Sequence, residues 1–536
     1  MNFDFHNPYP TTRIPVFARN AVSTSHPLAS QAGLRMLWKG GNAVDAAIAC
    51  AAVMTLVEPV SNGLGSDAFA ILWDGKELHG LNASGRAPAS WTPEYFRKKY
   101  GADAKTPPKR GMDAVTVPGA VASWVALSER FGKLPFADLL EPAIEIAERG
   151  YLLPVVVQQK WAAATPELGA MPGFAQAFLP WGRAPQVGEL FKFASAARGL
   201  RAIAQSTGTA YYGGEIAQAI ERFAAEHGGT IKASDFAAYK PEWVKPLAKN
   251  YRGHTLHEIP PNGQGIAALL AVGILDQFDV AGLPVDGPDS QHLQIEAMKL
   301  AFADVYRYVA EPSSMEVTPE QMLDDAYLAS RAKLIDMKRA QDFGAGNPVK
   351  GGTIYLTAAD ENGMMVSFIQ SNYMGFGSGC VEPAFGISLQ NRGHGFSLQA
   401  GPNQVAPGKR PFHTIIPAFL TKDGQPVMSY GVMGANMQPQ GHMQTLVRML
   451  DYKQSPQAAC DAPRWRYNAG LEINVEQQMN PVTAHELQAR GHQVEVINDN
   501  YQDFGAGQFI WRMGDPKVEG YVVASDSRRD GLAAGF

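Results

Sequence analysis

Cysteine is nearly absent: Cys50, Cys380 and Cys460 are the only three in 536 residues. Three widely spaced cysteines among small or apolar neighbours exclude a disulfide framework and a cysteine zinc motif, and predict buried free thiols. The twelve histidines form no His-Glu-x-x-His pair. Metal catalysis therefore has no motif behind it, and no metal or cofactor is expected. Charge is sparse, at 18% of residues with a net of -5 and a pI near 6.2. That leaves no basic footprint for nucleic acid or anionic membrane, and the densest cationic stretch, Arg97-Lys98-Lys99 through Arg110, lies among proline and glycine as a solvated loop. Met1 to His6 lack the basic flank and apolar core of a secretory signal, so a cytoplasmic location is expected. The alanine-rich run over 43–60 carries Asp45, Glu58 and Pro59, which predict a helix packed inside a layered fold rather than a membrane span.

What remains is a long globular chain without repeats, with ample volume for a buried core. Apolar periodicity predicts helices over 28–39, 43–60, 193–206, 216–227, 296–309 and 437–451. Between 154 and 188, Pro, Gly, Trp and Phe interleave without a clean period, which predicts a decorated region near the surface. The segment Gly344-Ala345-Gly346-Asn347-Pro348 predicts a flexible lead into Thr353.

The most informative stretch is 351–371. An alternating run from Thr353 to Ala359, a polar turn ending in Asn362-Gly363 and a β-rich return from Met364 to Ser371 predict a hairpin. With a loop of Asp360 to Gly363, Ala359 pairs with Met364 and Thr353 lies opposite Gln370, beside Ser371. Gly351-Gly352 places an unhindered carbonyl directly before the Thr353 hydroxyl. This is the layout of a self-cleaving N-terminal nucleophile hydrolase, in which Thr353 attacks the Gly352 carbonyl and becomes a new chain terminus. Its freed amine, with an ordinary pKa of about 7.7 to 8.0, can then act as base for its own hydroxyl.

Further blocks run nearly end to end: Gly40-Gly41-Asn42-Ala43-Val44-Asp45, Val117-Pro118-Gly119, Tyr251-Arg252-Gly253, Ala301-Phe302-Ala303-Asp304, Asp360 to Gly363, Phe376-Gly377-Ser378-Gly379, Lys409-Arg410-Pro411, Ala462-Pro463-Arg464 and Ala524-Ser525-Asp526. With Thr353 they resemble the γ-glutamyltransferase family of N-terminal nucleophile hydrolases. The resemblance implies an α+β fold, a four-layer αββα sandwich. It also implies a proenzyme cut between Gly352 and Thr353 into a large subunit, 1–352, and a small one, 353–536, interleaved in one unit, and it admits a homodimer of such units. Ser371 stands where the family has a second threonine that hydrogen-bonds the nucleophile. Gly431-Val432-Met433-Gly434-Ala435-Asn436 matches the oxyanion turn, so the backbone N-H groups of Gly434 and Ala435 are the implied donors. Alanine replaces the family's second glycine, which is harmless provided the position does not demand positive φ.

The substrate pocket departs from the family pattern. Tyr373 replaces an asparagine that binds the substrate amine, Arg392 replaces an amide and Gly395 a carboxylate, so the site has lost an anion and gained a cation. His413-Thr414 replace a Ser-Ser pair. The family's carboxylate-binding arginine aligns with Ser84, and Arg86 either reaches the same carboxylate or is an ordinary surface ion pair. These changes resemble the oxamate amidohydrolase-like branch and predict a small anionic amide without an α-amine as substrate. Bulk from Phe376, Tyr373 and His413 favours a small acyl group over a glutaryl one. The competing readings are a γ-glutamyl hydrolase or transpeptidase and an unprocessed ligand-binding homologue.

Overall fold

In the strand Gly352–Ala359, Ile354, Leu356 and Ala358 turn into one hydrophobic cluster while Tyr355 and Ala359 turn into another. A strand buried on both faces must sit in a middle layer. The computed structural model, which describes Tyr9 and residues 13–344, 352–498 and 504–536, bears this out. Gly351 and the 345–348 part of the expected flexible segment lie outside the described residues.

Two seven-stranded antiparallel sheets form the centre. One runs Leu532–Gly535, Ala21–Thr24, Gly352–Ala359, Met365–Tyr373, Asp67–Trp73, Leu78–Ala83, Glu242–Val244. The other runs Val16–Ala18, Tyr521–Ser525, Ala506–Arg512, Gln425–Met433, Ala418–Lys422, His254–Glu258, Leu247–Tyr251. Phe69, Ile71, Tyr355, Ile369, Phe419, Met433 and Ile510 fill the space between them. Helix Ala43–Val57, all fifteen residues buried, covers the outer face of the first sheet. Helices Ile266–Leu275 and Met437–Leu446 cover the second. The result is the four-layer αββα sandwich, and both sheets mix strands from before and after residue 352.

Half of the expected helices form within a residue or two, at Pro27–Trp38, Ala194–Ser206 and Glu215–Glu226, and the 43–60 helix stops at Val57. The 296–309 helix begins earlier, at Pro288, because Gly287-Pro288 supplies a helix start. The last, Met437–Leu446, passes into a π-helical turn, Val447–Asp451. Region 154–188 differs from the expectation of surface decoration. It contains helix Val155–Leu168, and its Trp161, Phe174 and Phe178 are buried in edge-to-face and tilted contact with Phe376. Aromatic packing supplies an order that periodicity did not reveal.

The hairpin register also differs by one. Ala359 pairs with Met365 and Ile354 with Gln370, so Met364 belongs to the loop. Asp360 sets that turn: its carboxylate accepts from Asn362 N, Met364 N and, at 2.9 Å, from Ala43 N at the start of the covering helix. The Asn42–Asp45 capping box secures the same helix end. All three cysteines are buried and free. Among the described residues no helix is long and apolar enough to cross a membrane.

Candidate active site

Between the pairs Ile354–Gln370 and Gly352–Tyr373 the ladder slips, so Ser371 and Asn372 together oppose Thr353. This β-bulge re-aims the end of the hairpin. Thr353 Oγ1 donates to Ser371 Oγ at 3.2 Å, and Ser371 Oγ donates to the Gly352 carbonyl at 2.7 Å. The serine oxygen also accepts the Tyr373 N-H at 2.8 Å, which uses the hydroxyl's full hydrogen-bonding capacity. Residue 352 is glycine for a steric reason: a Cβ there would lie 2.9 Å from the Val60 carbonyl and 3.0 Å from Ser61 Cα. Beneath this contact Glu58 accepts from Ser25 at 2.6 Å and Ser61 at 2.8 Å, and burial raises its pKa.

Period-two alternation turns Thr353, Ser371 and Asp67 toward the space between the sheets, and Ser371 pairs in register with Asp67 on the adjacent strand. From the facing sheet Ser429 meets Thr357 at 2.6 Å, and Gly431 leaves room for the Tyr355 ring. The strand that carries Ser429 and Gly431, Gln425–Met433, gives way at its end to Gly434 and Ala435. Among the described residues neither of those N-H groups donates a hydrogen bond. Ala435 has φ of +52°, so the position does demand the left-handed conformation, against the condition set from sequence. Alanine tolerates it at a cost of about 1 kcal/mol. Gln264 ties the two halves together, donating to the carbonyls of Thr414 at 2.6 Å and Ala435 at 3.0 Å.

Arg392 is buried, and its guanidinium lies 4.6 Å from the centre of the Tyr373 ring. Nη1 donates to Thr414 Oγ1 at 2.9 Å, whereas among the described residues Nε and Nη2 have no partner. Desolvation lowers its pKa to about 10, against the opposing charge of Asp67, so it stays cationic at neutral pH. A buried cation with two unused donors is costly unless an anion completes it. Tyr373 holds φ of +78°, an outlier for a bulky residue and a mark of a site where the fold imposes conformation. His413 Nε2 lies 3.1 Å from Asp67 Oδ2, which also accepts the Gly85 N-H at 2.9 Å. Burial drives the His413 pKa far down, with Arg392 and Arg410 adding to it. The contact is therefore a neutral imidazole N-H donating to a carboxyl group.

The structure thus brings together Thr353, Ser371 and Tyr373 on the hairpin, and Arg392, His413 and Thr414 beside it. Arg86 is not among them. Its guanidinium is held by Glu242 at 2.6 Å and Glu311 at 3.0 Å, and it lines a cleft of about 310 Å³ with Val117, Asp235, Tyr239 and Gly408. The surface ion pair is the arrangement observed. Phe376 lies in the aromatic cluster of the outer core rather than at the site. Asp67, Gln264 and Glu58 escaped the sequence analysis. A carboxylate closing Asn62-Gly63-Leu64-Gly65-Ser66-Asp67 before an apolar strand was the available signal for the first; the other two are isolated polar residues with none. His292, Glu296 and His492 cluster closely enough to hold a metal. However, His292 Nδ1 and His492 Nε2 bond at 2.9 Å, and Lys299 bonds Glu296 at 2.8 Å, so the cluster already satisfies itself.

The gamma-glutamyltranspeptidase family model matches residues 29–536. The glutathione hydrolase-like YwrD proenzyme of Bacillus subtilis is 36% identical over 530 residues, covering 97% of this chain and 98% of that relative. The oxamate amidohydrolase proenzyme of Klebsiella pneumoniae is 34% identical over 530 residues, covering 95% and 97%. Among solved structures, a cephalosporin acylase from Bacillus halodurans aligns with a TM-score of 0.93 at 47% identity, covering 100% of this chain and 99% of that one. The chain belongs to the γ-glutamyltranspeptidase family and is one of its N-terminal nucleophile hydrolases.

Proposed function

We propose that the chain is a self-processed threonine amidohydrolase acting on an anionic amide without an α-amine, of oxamate type. The observation that carries this reading is the buried Arg392 guanidinium, with two unpartnered nitrogens, beside the Thr353–Ser371–Gly352 hydrogen-bond chain. In processing, Thr353 Oγ1 bonds to the Gly352 carbonyl carbon as the peptide C-N bond breaks, and the hydroxyl proton ends on the freed amine. Water then hydrolyses the ester, giving a large subunit 1–352 and a small subunit 353–536 that stay joined through their shared sheets. Ser371 polarises the attacked carbonyl.

In turnover the Thr353 amine takes the proton from its own hydroxyl, which attacks the substrate amide. The Gly434 and Ala435 N-H groups receive the oxyanion, ammonia or an amine leaves, and water releases the acid. Arg392 and Thr414 hold the substrate carboxylate, and Tyr373 and His413 bound the pocket. Loss of the amine-binding carboxylate at Gly395 weighs against γ-glutamyl substrates, although glutathione hydrolase proenzymes are among the relatives. A glutaryl-type acyl group is the second reading. It is favoured by the likeness to the cephalosporin acylase and by the position of Phe376, which does not narrow the site.

Intact mass of the wild type and of Thr353→Ala, followed by ammonia release from oxamate, from glutaramate and from a γ-glutamyl amide, tests these readings. Two fragments in the wild type alone, with oxamate the best substrate, is the expected result. A single uncleaved chain in both would overturn the assignment in favour of a ligand-binding homologue, and preference for glutaramate would select the second reading.

A further inference from the structure

Glu58 is a buried carboxyl group to which the proposed chemistry gives no part. It follows the helix Ala43–Val57, and both of its oxygens accept from serines: Oε1 from Ser61 at 2.8 Å, and Oε2 from Ser25, just past the strand Ala21–Thr24, at 2.6 Å. The turn from Pro59 to Asn62 is buried and holds the hairpin by its own polar groups. The Val60 carbonyl accepts from Phe376 N at 3.1 Å, the Ser61 carbonyl from Asn372 N at 3.0 Å, and Asn62 Oδ1 from Gln370 Nε2 at 2.7 Å. Asn372 is one of the two bulge residues opposite Thr353. The same turn meets Gly352 on the partner strand: a Cβ there would lie 2.9 Å from the Val60 carbonyl, 3.0 Å from Ser61 Cα and 3.2 Å from Ser61 Oγ. Gly352 is therefore gripped at two points, at Cα by this turn and at its carbonyl oxygen by Ser371 Oγ.

We propose that Glu58 is a positioning residue for self-cleavage, which acts through Ser61 to hold the Gly352 carbonyl in the orientation that the Thr353 hydroxyl attacks. The inference rests on the reading of Thr353 as the nucleophile. In that step Thr353 Oγ1 bonds to the Gly352 carbonyl carbon, the peptide C-N bond breaks and the hydroxyl proton passes to the freed amine. Such a step depends on the direction of approach, and a displacement of about 1 Å costs up to about 100-fold in rate. Glycine has the freest backbone of any residue, so the orientation of residue 352 has to come from what packs against it. The turn supplies that restraint by its close approach, and Glu58 makes the turn rigid by tying Ser61 to Ser25 on a separate segment. A Ser61 hydroxyl without this buried acceptor loses the bond that fixes it. Once the chain is cut Gly352 is no longer bonded to Thr353, and the grip on it has no further hold on the nucleophile. A defect at Glu58 or Ser61 therefore falls on cleavage more than on turnover.

The test is the rate of self-cleavage of the freshly purified full chain, followed by intact mass, for wild type, Ser61→Ala, Glu58→Leu, the two combined, and Gly352→Ala. Each single variant should cleave about 10- to 100-fold more slowly. The combined variant should be no slower than Glu58→Leu alone, because both changes break one contact. Turnover of the preferred amide per cleaved chain should fall by less than cleavage does. Hydroxylamine attacks the Thr353 ester, releasing the large subunit as a C-terminal hydroxamate and restoring the threonine hydroxyl. It should speed wild type and Ser61→Ala by the same factor, since the defect lies before the ester. Cleavage of Ser61→Ala and Glu58→Leu at the wild-type rate, turnover that falls as far as cleavage, or hydroxylamine bringing Ser61→Ala level with wild type would overturn the inference and leave the proposed function standing. A wild type that stays uncleaved would overturn the two together. Should the buried variants fail to fold, Gly352→Ala still tests the grip: cleavage at the wild-type rate would show that the turn does not restrain residue 352.

Discussion

Ser371 Oγ stands 2.7 Å from the carbonyl oxygen of Gly352 and donates its proton to it. In the uncleaved chain the serine therefore polarises the bond that Thr353 is proposed to attack. Ser371→Ala should slow self-cleavage by about 10- to 100-fold, the worth of one hydrogen bond to developing charge. Ser371→Thr should keep most of the rate. A time course of intact mass after rapid purification measures both, and a Ser371→Ala chain that cleaves as fast as wild type would remove the serine from the mechanism.

In the proposed site Arg392 would offer the substrate a buried fork rather than a point charge. Arg392→Gln should raise KM for oxamate by about 10- to 150-fold, and Arg392→Lys should not rescue it, because a lysine cannot present two parallel donors. Combining Arg392→Gln with Gly395→Asp should shift preference toward γ-glutamyl amides. A Cβ at 395 would lie 3.0 Å from the Phe412 carbonyl, so some local adjustment is needed. Steady-state kinetics with oxamate and a γ-glutamyl anilide report the ratio, and no gain on the anilide would count against the assigned pocket.

The proposed oxyanion turn tolerates alanine narrowly. With Ala435 at φ of +52°, Ala435→Gly should preserve both cleavage and turnover and relieve up to about 1 kcal/mol of strain. Ala435→Val places a β-branched side chain in a conformation it resists, and should lose both activities. Comparing cleavage, turnover and thermal midpoint across the two variants separates backbone conformation from side-chain chemistry.

Among the described residues burial lowers the pKa of seven histidines: His26 and His442 to about 3, His257 and His292 to about 4, His492 to about 2, His413 far below its ordinary value, and His254 as well. Between an unfolded pKa near 6.5 and these folded values the unfolded chain binds more protons. Stability is therefore full above pH 6.5 and falls as pH drops through 6.5 toward 4. Asp67 acts in the opposite sense: its folded pKa is raised to about 7 from an ordinary 3.8, so its burial costs stability as pH rises from about 4 to 7. The thermal midpoint should fall from pH 7.5 to pH 5. The difference between Asp67→Asn and wild type should move in the variant's favour between pH 5 and pH 8. A midpoint that rises on acidification would show that the carboxylates outweigh the histidines.

The chain's local patterns determined a great deal on their own. Thr353 at the head of an alternating run, Asp360 and Gly363 at its turn, and the apolar helix after Asn42 are local signals, set by steric allowance, period and capping within a few residues. Such signals survive in any tertiary context that buries them, and with the family blocks they were enough for the four-layer sandwich. Tertiary structure alone decided the rest. The bulge opposite Thr353 arises where the hairpin meets Val60 and Ser61, over 290 positions earlier in the chain, and no local pattern records that contact. Phe376 joined Trp161 in the outer core, and Arg86 closed on Glu242 and Glu311, because packing and charge pairing are settled between distant segments. Asp67 became part of the site through its register with Ser371. Its charge state depends on desolvation by surrounding layers, a property that exists only once those layers have assembled.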